Sequence, residues 1–232
     1  EESAVAGRLD LRDKVMITID GASSKDLDDA VSLERDGLGR WVLGVHIADV
    51  SHYVRPGSAL DLEAWERGTS VYFADQVVPM LPRELSNGIC SLNPRVDRLA
   101  LSCVMTLTPE GEVVDHTIAK SVIRTTERMT YEDCNALLAH SDPALAERYA
   151  RILPMLEDMA ALSRVLEGRR RRRGALELDT RESYVVCDES GTPVDVVLRT
   201  PGISEGLIES FMLAANECVA EHLNRLDKPC VY

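Results

Sequence analysis

The sequence has little that would place it in a membrane, an oxidising compartment or a zinc site. No apolar run approaches the roughly 20 residues of a bilayer span, and no signal-peptide pattern opens the chain. No membrane partner is therefore expected, and a cytoplasmic location is. The six cysteines, at 90, 103, 134, 187, 218 and 230, include no Cys-x-x-Cys pair, which argues against a zinc or disulfide framework and predicts buried free thiols. His46 and His52 lack a nucleophilic serine or cysteine in any recognisable arrangement, so they read as core or surface histidines. No internal repeat occurs. Positive charge is also short: 26 Lys and Arg stand against 39 Asp and Glu, a net charge of −13 that argues against a broad nucleic-acid-binding surface. Its distribution is uneven, because Arg169 to Arg173 are consecutive arginines, readable equally as a solvated helix end or as a phosphate contact. The 232 residues allow one or two domains, and a 45% hydrophobic content suits a soluble globular protein.

What the chain has in concentration is acid. In Ile19-Asp20-Gly21-Ala22-Ser23-Ser24-Lys25-Asp26-Leu27-Asp28-Asp29-Ala30, four aspartates share one lysine. Two carboxylates about 4 Å apart repel by roughly 4 kcal/mol at an intermediate dielectric, so gathering four calls for compensating positive charge. Divalent metal ions supply it; the alternative is a solvated acidic turn. Val15 to Ile19 reads as a strand ending at Asp20, and Gly21 to Ser24 as a loop. Asp26 and Asp28 would share one face of an extended chain while Asp29 pointed away, so a loop is needed for all three to converge. An all-oxygen donor set favours Mg²⁺ or Mn²⁺ over zinc.

Elsewhere the pattern predicts strands at 30–34 and 41–49 joined by an Asp36-Gly37-Leu38-Gly39 turn, and an antiparallel pair at 99–108 and 113–124. Another strand pair is expected at 183–187 and 194–199. A helix over 59–67 is capped by Ser58 and ended by Gly68, and Thr130 with Asp133 opens another. Asp142-Pro143 starts a long helix that Pro154 should kink, and a last helix covers about 204–223. Asp49 reads either as a contact to a metal shell or, more often for such a residue, as a backbone-bonding strand end. Asn216 is expected to make a buried hydrogen bond between helices.

The aspartate segment resembles the signature of the RNB family of ribonucleases, with Asp20, Asp26, Asp28 and Asp29 at its four acidic positions. Val45-His46-Ile47-Ala48-Asp49-Val50-Ser51 is similar to a second family block. Val71-Tyr72-Phe73, Val77-Val78-Pro79-Met80-Leu81-Pro82 and Leu85-Ser86-Asn87-Gly88 resemble the ribonuclease R branch more than ribonuclease II. The resemblance implies an α+β fold, with a mixed, largely antiparallel sheet or incomplete barrel flanked by helices. It implies a 3′-to-5′ hydrolytic exoribonuclease that releases nucleoside 5′-monophosphates with two Mg²⁺ ions, or Mn²⁺, acting on a single-stranded RNA 3′ end. A non-catalytic RNA-binding regulator on the same fold is the alternative. Asp20, Asp26, Asp28 and Asp29 would bind metal, with Asp28 catalytic, and Tyr72 and Tyr131 would face the RNA, Tyr72 by stacking. Some members carry a base-clamping Phe near Leu178, and a His where Glu205 stands. Residues 1–14 are expected as a lead-in and 15–232 as the first part of a single catalytic domain. The family's other active-site segments and its flanking OB-fold RNA-binding domains would then lie outside this chain.

Overall fold

The computed structural model describes residues 2–74, 76–176 and 182–231. At its centre is one seven-stranded sheet. Its strands are β1 (Leu9–Asp10), β2 (Ile17–Asp20), β3 (Asp29–Arg35), β4 (Trp41–Ala48), β7 (Asp97–Leu107), β8 (Val113–Arg124) and β9 (Glu127–Thr130). They lie in the order β1-β8-β7-β4-β3-β2-β9. The four inner pairings are antiparallel, and the two outermost, β1 with β8 and β2 with β9, are parallel. The sheet is mixed, largely antiparallel and open, as expected from the resemblance. Two small hairpins stand apart from it, β5 (Val71–Tyr72) with β6 (Val77–Val78), and β10 (Glu182–Cys187) with β11 (Pro193–Arg199).

Strand alternation divides the core in two. Ile17, Ile19, Val31, Leu43 and Met105 face a helical layer of α4 (Tyr131–Leu138), α6 (Leu153–Arg172) and α7 (Ile203–Arg225), which contributes Leu137, Leu156, Met159 and Phe211. Each such buried side chain stabilises the fold by about 1.5–3 kcal/mol. On the other face Met16, Ala30, Ala48, Ala100 and Ile123 pack around Leu27, Cys90 and Leu92, drawn from the loops that border the aspartates.

On that second face a chain of polar side chains crosses four strands. Ser32 Oγ lies 3.1 Å from His46 Nε2, His46 Nδ1 lies 2.7 Å from Ser102 Oγ, and Ser102 Oγ lies 2.6 Å from Ser121 Oγ. Gly44 makes room for it, since a Cβ there would meet Ser32 Oγ at 2.4 Å and His46 Nε2 at 2.6 Å. His46 is a core histidine, 1% exposed, and burial pushes its pKa down to about 4.

Several boundaries agree with the sequence, including α3 (Ala59–Arg67), where Ser58 Oγ accepts from the Asp61 amide and Gly68 closes the helix. Thr130 likewise caps α4, its hydroxyl accepting from the Asp133 amide. The expected long helix is two: α5 (Pro143–Arg148) ends, the chain turns, and α6 starts with Pro154 in its first turn. A proline there lacks only an N–H that would have no helical partner, so Pro154 opens a helix and does not kink one. Residues 1–14, expected as a lead-in, add α1 (Glu2–Val5) and β1 to the fold. Arg8 from this segment makes a 2.6 Å ion pair with Asp49, both side chains being buried. Although burial alone would raise the Asp49 carboxyl, the bonds from Arg8 and Ser51 hold it below the usual carboxylate range. Asp49 is thus engaged by structure, at the end of β4. Asn216 is exposed on α7, in contrast to its expected buried role, because the buried stripe runs through Phe211, Ala215 and Cys218. All six cysteines are free, four of them buried, with Cys187 and Cys230 half-buried. Among the described residues no helix is long and apolar enough to cross a membrane.

Candidate active site

The aspartates sit at the end of the sheet where β2 finishes and β3 begins. Asp20 is the last residue of β2, held opposite Thr130 by the parallel pairing with β9. Alternation puts it on the face of Met16 and Thr18, away from the helices. The loop then returns with Leu27 fully buried between Asp26 and Asp28, so both of those carboxylates are turned away from the core. Asp29 starts β3 opposite Ile47, and the Ala48 amide donates to the Asp28 carbonyl at 2.9 Å.

Each part of the loop is tied from outside. Ser91 Oγ accepts from the Leu27 amide at 3.1 Å and donates to the Lys25 carbonyl at 2.9 Å. The Leu92 amide donates to the Leu27 carbonyl at 2.8 Å. At the other end Arg128 Nη2, from β9, donates to the carbonyls of Gly21, Ala22 and Ser24 at 3.3, 2.9 and 2.7 Å.

The electrostatics are those of crowded acid. Burial, and after it the charge of Asp29, pushes Asp20 up to about 7; Asp26 and Asp28 add to the rise and Arg128 opposes it. Burial and then Asp28 push Asp29 up to about 6, and partial desolvation with Asp26 raises Asp28. The Asp20 carboxyl therefore lies within electrostatic reach of the other three. Among the described residues, buried Asp20 Oδ2 has no hydrogen-bond partner. Among the described residues no three His, Cys, Asp or Glu side chains form a ready-made ligand set, so converging three carboxylates on one ion takes side-chain rotation. In donor type and charge the cluster fits a hard divalent cation.

Tyr72, at the end of β5, is 67% exposed, and its hydroxyl donates to Asp26 Oδ2 at 3.4 Å. That places the aromatic beside the aspartates and not in the core. Phe73, next in the chain, is also exposed. Tyr131 is the first residue of α4, directly after the partner of Asp20, but it is half-buried and packs against the main core. A six-residue π-helical turn, Glu84–Ile89, leads into the Cys90–Leu92 segment that grips Leu27. Leu178 lies outside the described residues. Glu205 is engaged at the start of α7, where its carboxylate accepts from the Gly202 amide at 2.9 Å and Asn135 Nδ2 at 3.2 Å. Three of the five arginines face carboxylates: Arg173 bonds Glu217 at 2.8 and 3.0 Å, Arg171 bonds Glu167 at 2.8 Å, and Arg170 lies 4.0 Å from Glu209. Arg128 and Ser91 were not marked by the sequence pattern. Their contacts span 104–107 and 64–66 residues, and no local spacing encodes them.

An open α+β sheet that brings four carboxylates and an exposed tyrosine to one strand end defines a class of domain suited to holding cations beside a flat substrate. The RNB domain matches residues 8–232, and the chain belongs to that family. Over 231 residues it is 53% identical to ribonuclease R 1 of Lactococcus lactis, an alignment that covers 100% of this chain and 28% of that protein. It also matches the structure of Mycoplasma genitalium RNase R in complex with ribose methylated single-stranded RNA, at TM-score 0.89 and 33% identity, over 98% of this chain and 35% of that one. The chain thus spans about a third of these relatives. Yeast Ssd1, described as a pseudonuclease, shares the fold at TM-score 0.74 and 20% identity, over 95% of this chain and 26% of its own.

Proposed function

We propose that the chain is the first portion of a single RNB catalytic domain and takes part in 3′-to-5′ hydrolysis of single-stranded RNA to nucleoside 5′-monophosphates. The observation that carries this reading is the group of four aspartates, three of them within electrostatic reach of Asp20, with Tyr72 bonded to Asp26. Asp20, Asp26 and Asp29 hold divalent cations, Mg²⁺ or Mn²⁺, and Asp28 holds the second ion or the 3′-terminal nucleotide at the scissile bond. Two such ions, when bound, activate water and stabilise the departing 3′ oxygen. The raised carboxyls are consistent with this role, because a cation offsets both the burial and the neighbouring negative charge that push Asp20 up. Tyr72 offers its ring face to a terminal base, a contact that contributes about 1–3 kcal/mol without selecting the base. Tyr131, beside the Asp20 strand, is the second RNA-side tyrosine. The work takes place in the cytoplasm, with the OB-fold domains and remaining active-site segments supplied by the rest of a full-length protein.

The test uses 3′-labelled and 5′-labelled RNA with Mg²⁺ or EDTA, applied to this chain alone and within a full-length protein. Release of mononucleotides from the 3′ end only, and only with metal, is the expected result. The fold shared with a pseudonuclease gives the second reading its support, an RNA-binding regulator that does not cleave. RNA binding without cleavage by the full-length protein would favour it. The presence of all four aspartates weighs against it.

A further inference from the structure

The aspartate loop makes few backbone bonds of its own. Within it, only the Ser24 amide reaches back, to the Gly21 carbonyl at 3.0 Å. Its shape is imposed by side chains from distant parts of the chain. Ser91 is fully buried and bridges Lys25 and Leu27 with one hydroxyl, so it fixes the backbone on both sides of Asp26 and ahead of Asp28. Ser91 is itself held, because Arg98 of β7 donates to its carbonyl at 2.7 Å and to that of Gly88 at 3.1 Å. Arg128 gathers three carbonyls of the turn after Asp20 onto one nitrogen. Arg128 also lies near enough to Asp20 to oppose the rise in its pKa.

We propose that Ser91 and Arg128 are positioning residues for the aspartates: they clamp the two ends of the loop and set the spacing at which Asp20, Asp26 and Asp28 meet a divalent cation. The proposal rests on the metal-binding reading above and deepens it. Neither residue is assigned contact with substrate. If Ser91 lost its hydroxyl, the buried Leu27 amide would lose its partner and the Asp26 and Asp28 carboxylates their common reference. If Arg128 lost its guanidinium, the turn from Gly21 to Ser24 would be free to drift from the end of β2.

The test compares Ser91→Ala, Arg128→Met and Arg128→Lys in this chain, by amide hydrogen exchange without metal and by Mn²⁺ binding followed by electron paramagnetic resonance. Ser91→Ala should speed exchange of the Leu27 amide, and Arg128→Met that of the Ser24 amide, while the central strands keep parental protection. Each should weaken Mn²⁺ binding by about tenfold, and Arg128→Lys, which keeps the charge and donors on one nitrogen, should recover part of that loss. Folded variants with parental exchange over residues 21–28 and parental Mn²⁺ affinity would overturn the proposal. So would global loss of protection in both Ser91→Ala and Arg128→Met, which would make these residues parts of the core and not of the loop. If the parent itself binds no Mn²⁺, the metal-binding reading fails, and the exchange data still decide whether the two residues shape the loop.

Discussion

Two polar clusters each draw on β3, one along its length and one at its first residue, and the protein treats them in opposite ways. In the interior, Ser32, His46, Ser102 and Ser121 bond to one another, and His46 is held neutral. At the strand ends, burial and neighbouring aspartates raise the pKa of Asp20 and Asp29, and among the described residues buried Asp20 Oδ2 has no hydrogen-bond partner. A buried polar group with its partners made stabilises one fold; a charged cluster with partners missing stores free energy that a ligand can recover. The first cluster is architecture, and the second is the candidate site proposed above.

The contrast is sharpest at Asp28. Asp28→Asn in a full-length protein should lower RNA hydrolysis by roughly 10²–10³-fold while RNA affinity stays near parental, as read by single-turnover cleavage beside a binding titration. Comparable turnover would remove Asp28 from the chemistry. Next in size is the response to cation. If Mg²⁺ completes the aspartate cluster, 100 Kd of it should stabilise the folded chain by about 2.7 kcal/mol in denaturant titrations, an increment that Asp20→Asn reduces.

The interior ladder should respond in the reverse sense. Ser102→Ala leaves His46 Nδ1 and Ser121 Oγ short of a partner and should cost about 1–3 kcal/mol of stability with or without Mg²⁺. A loss seen only with Mg²⁺ would join the two clusters that are separated here.

The smallest effect is the pH dependence in EDTA, where the clusters have opposite signs. Folded Asp20 and Asp29 titrate at about 7 and about 6 against an ordinary 3.8, so the folded chain keeps protons that the unfolded chain has released. Their contribution makes stability fall as pH rises from about 4 to about 7, by less than about 1.4 kcal/mol per unit and group because solvent screens half-exposed carboxyls. For His46, at about 4 against 6.5, stability is complete above 6.5 and is lost as pH falls towards 4. Asp20→Asn should therefore raise Tm by a few degrees at pH 8 and leave it unchanged near pH 4. An equal shift at both values would point to packing.

Much of this was legible in the sequence wherever the determinant is local. The hairpin of β3 and β4 follows alternation and an Asp-Gly turn, and α3 and α4 follow their caps. The aspartates followed from charge spacing joined to a family resemblance. Pro154 misled, because one proline suits either a kink or a helix start, and the difference lies in how Tyr149 and Ile152 pack into the core. Asn216 misled because the helix around it is largely apolar while its own position faces out. Arg128, Ser91 and the β2–β9 pairing were beyond reach, since each joins residues far apart in the chain and nothing nearby records it.

The parallel edge pairing also sets an order of events. β2 shares a single register pair with β3 but four with β9, and the Met16 amide donates to Thr126 Oγ1, 110 residues later. At 5–20 residues per second, that separation is roughly 5–20 s of synthesis, during which a chain emerging from the ribosome has its aspartates but neither β9 nor Arg128 to hold them. The aspartate cluster therefore stays unassembled beside the ribosome until the chain has grown well past the strand that bears its first aspartate.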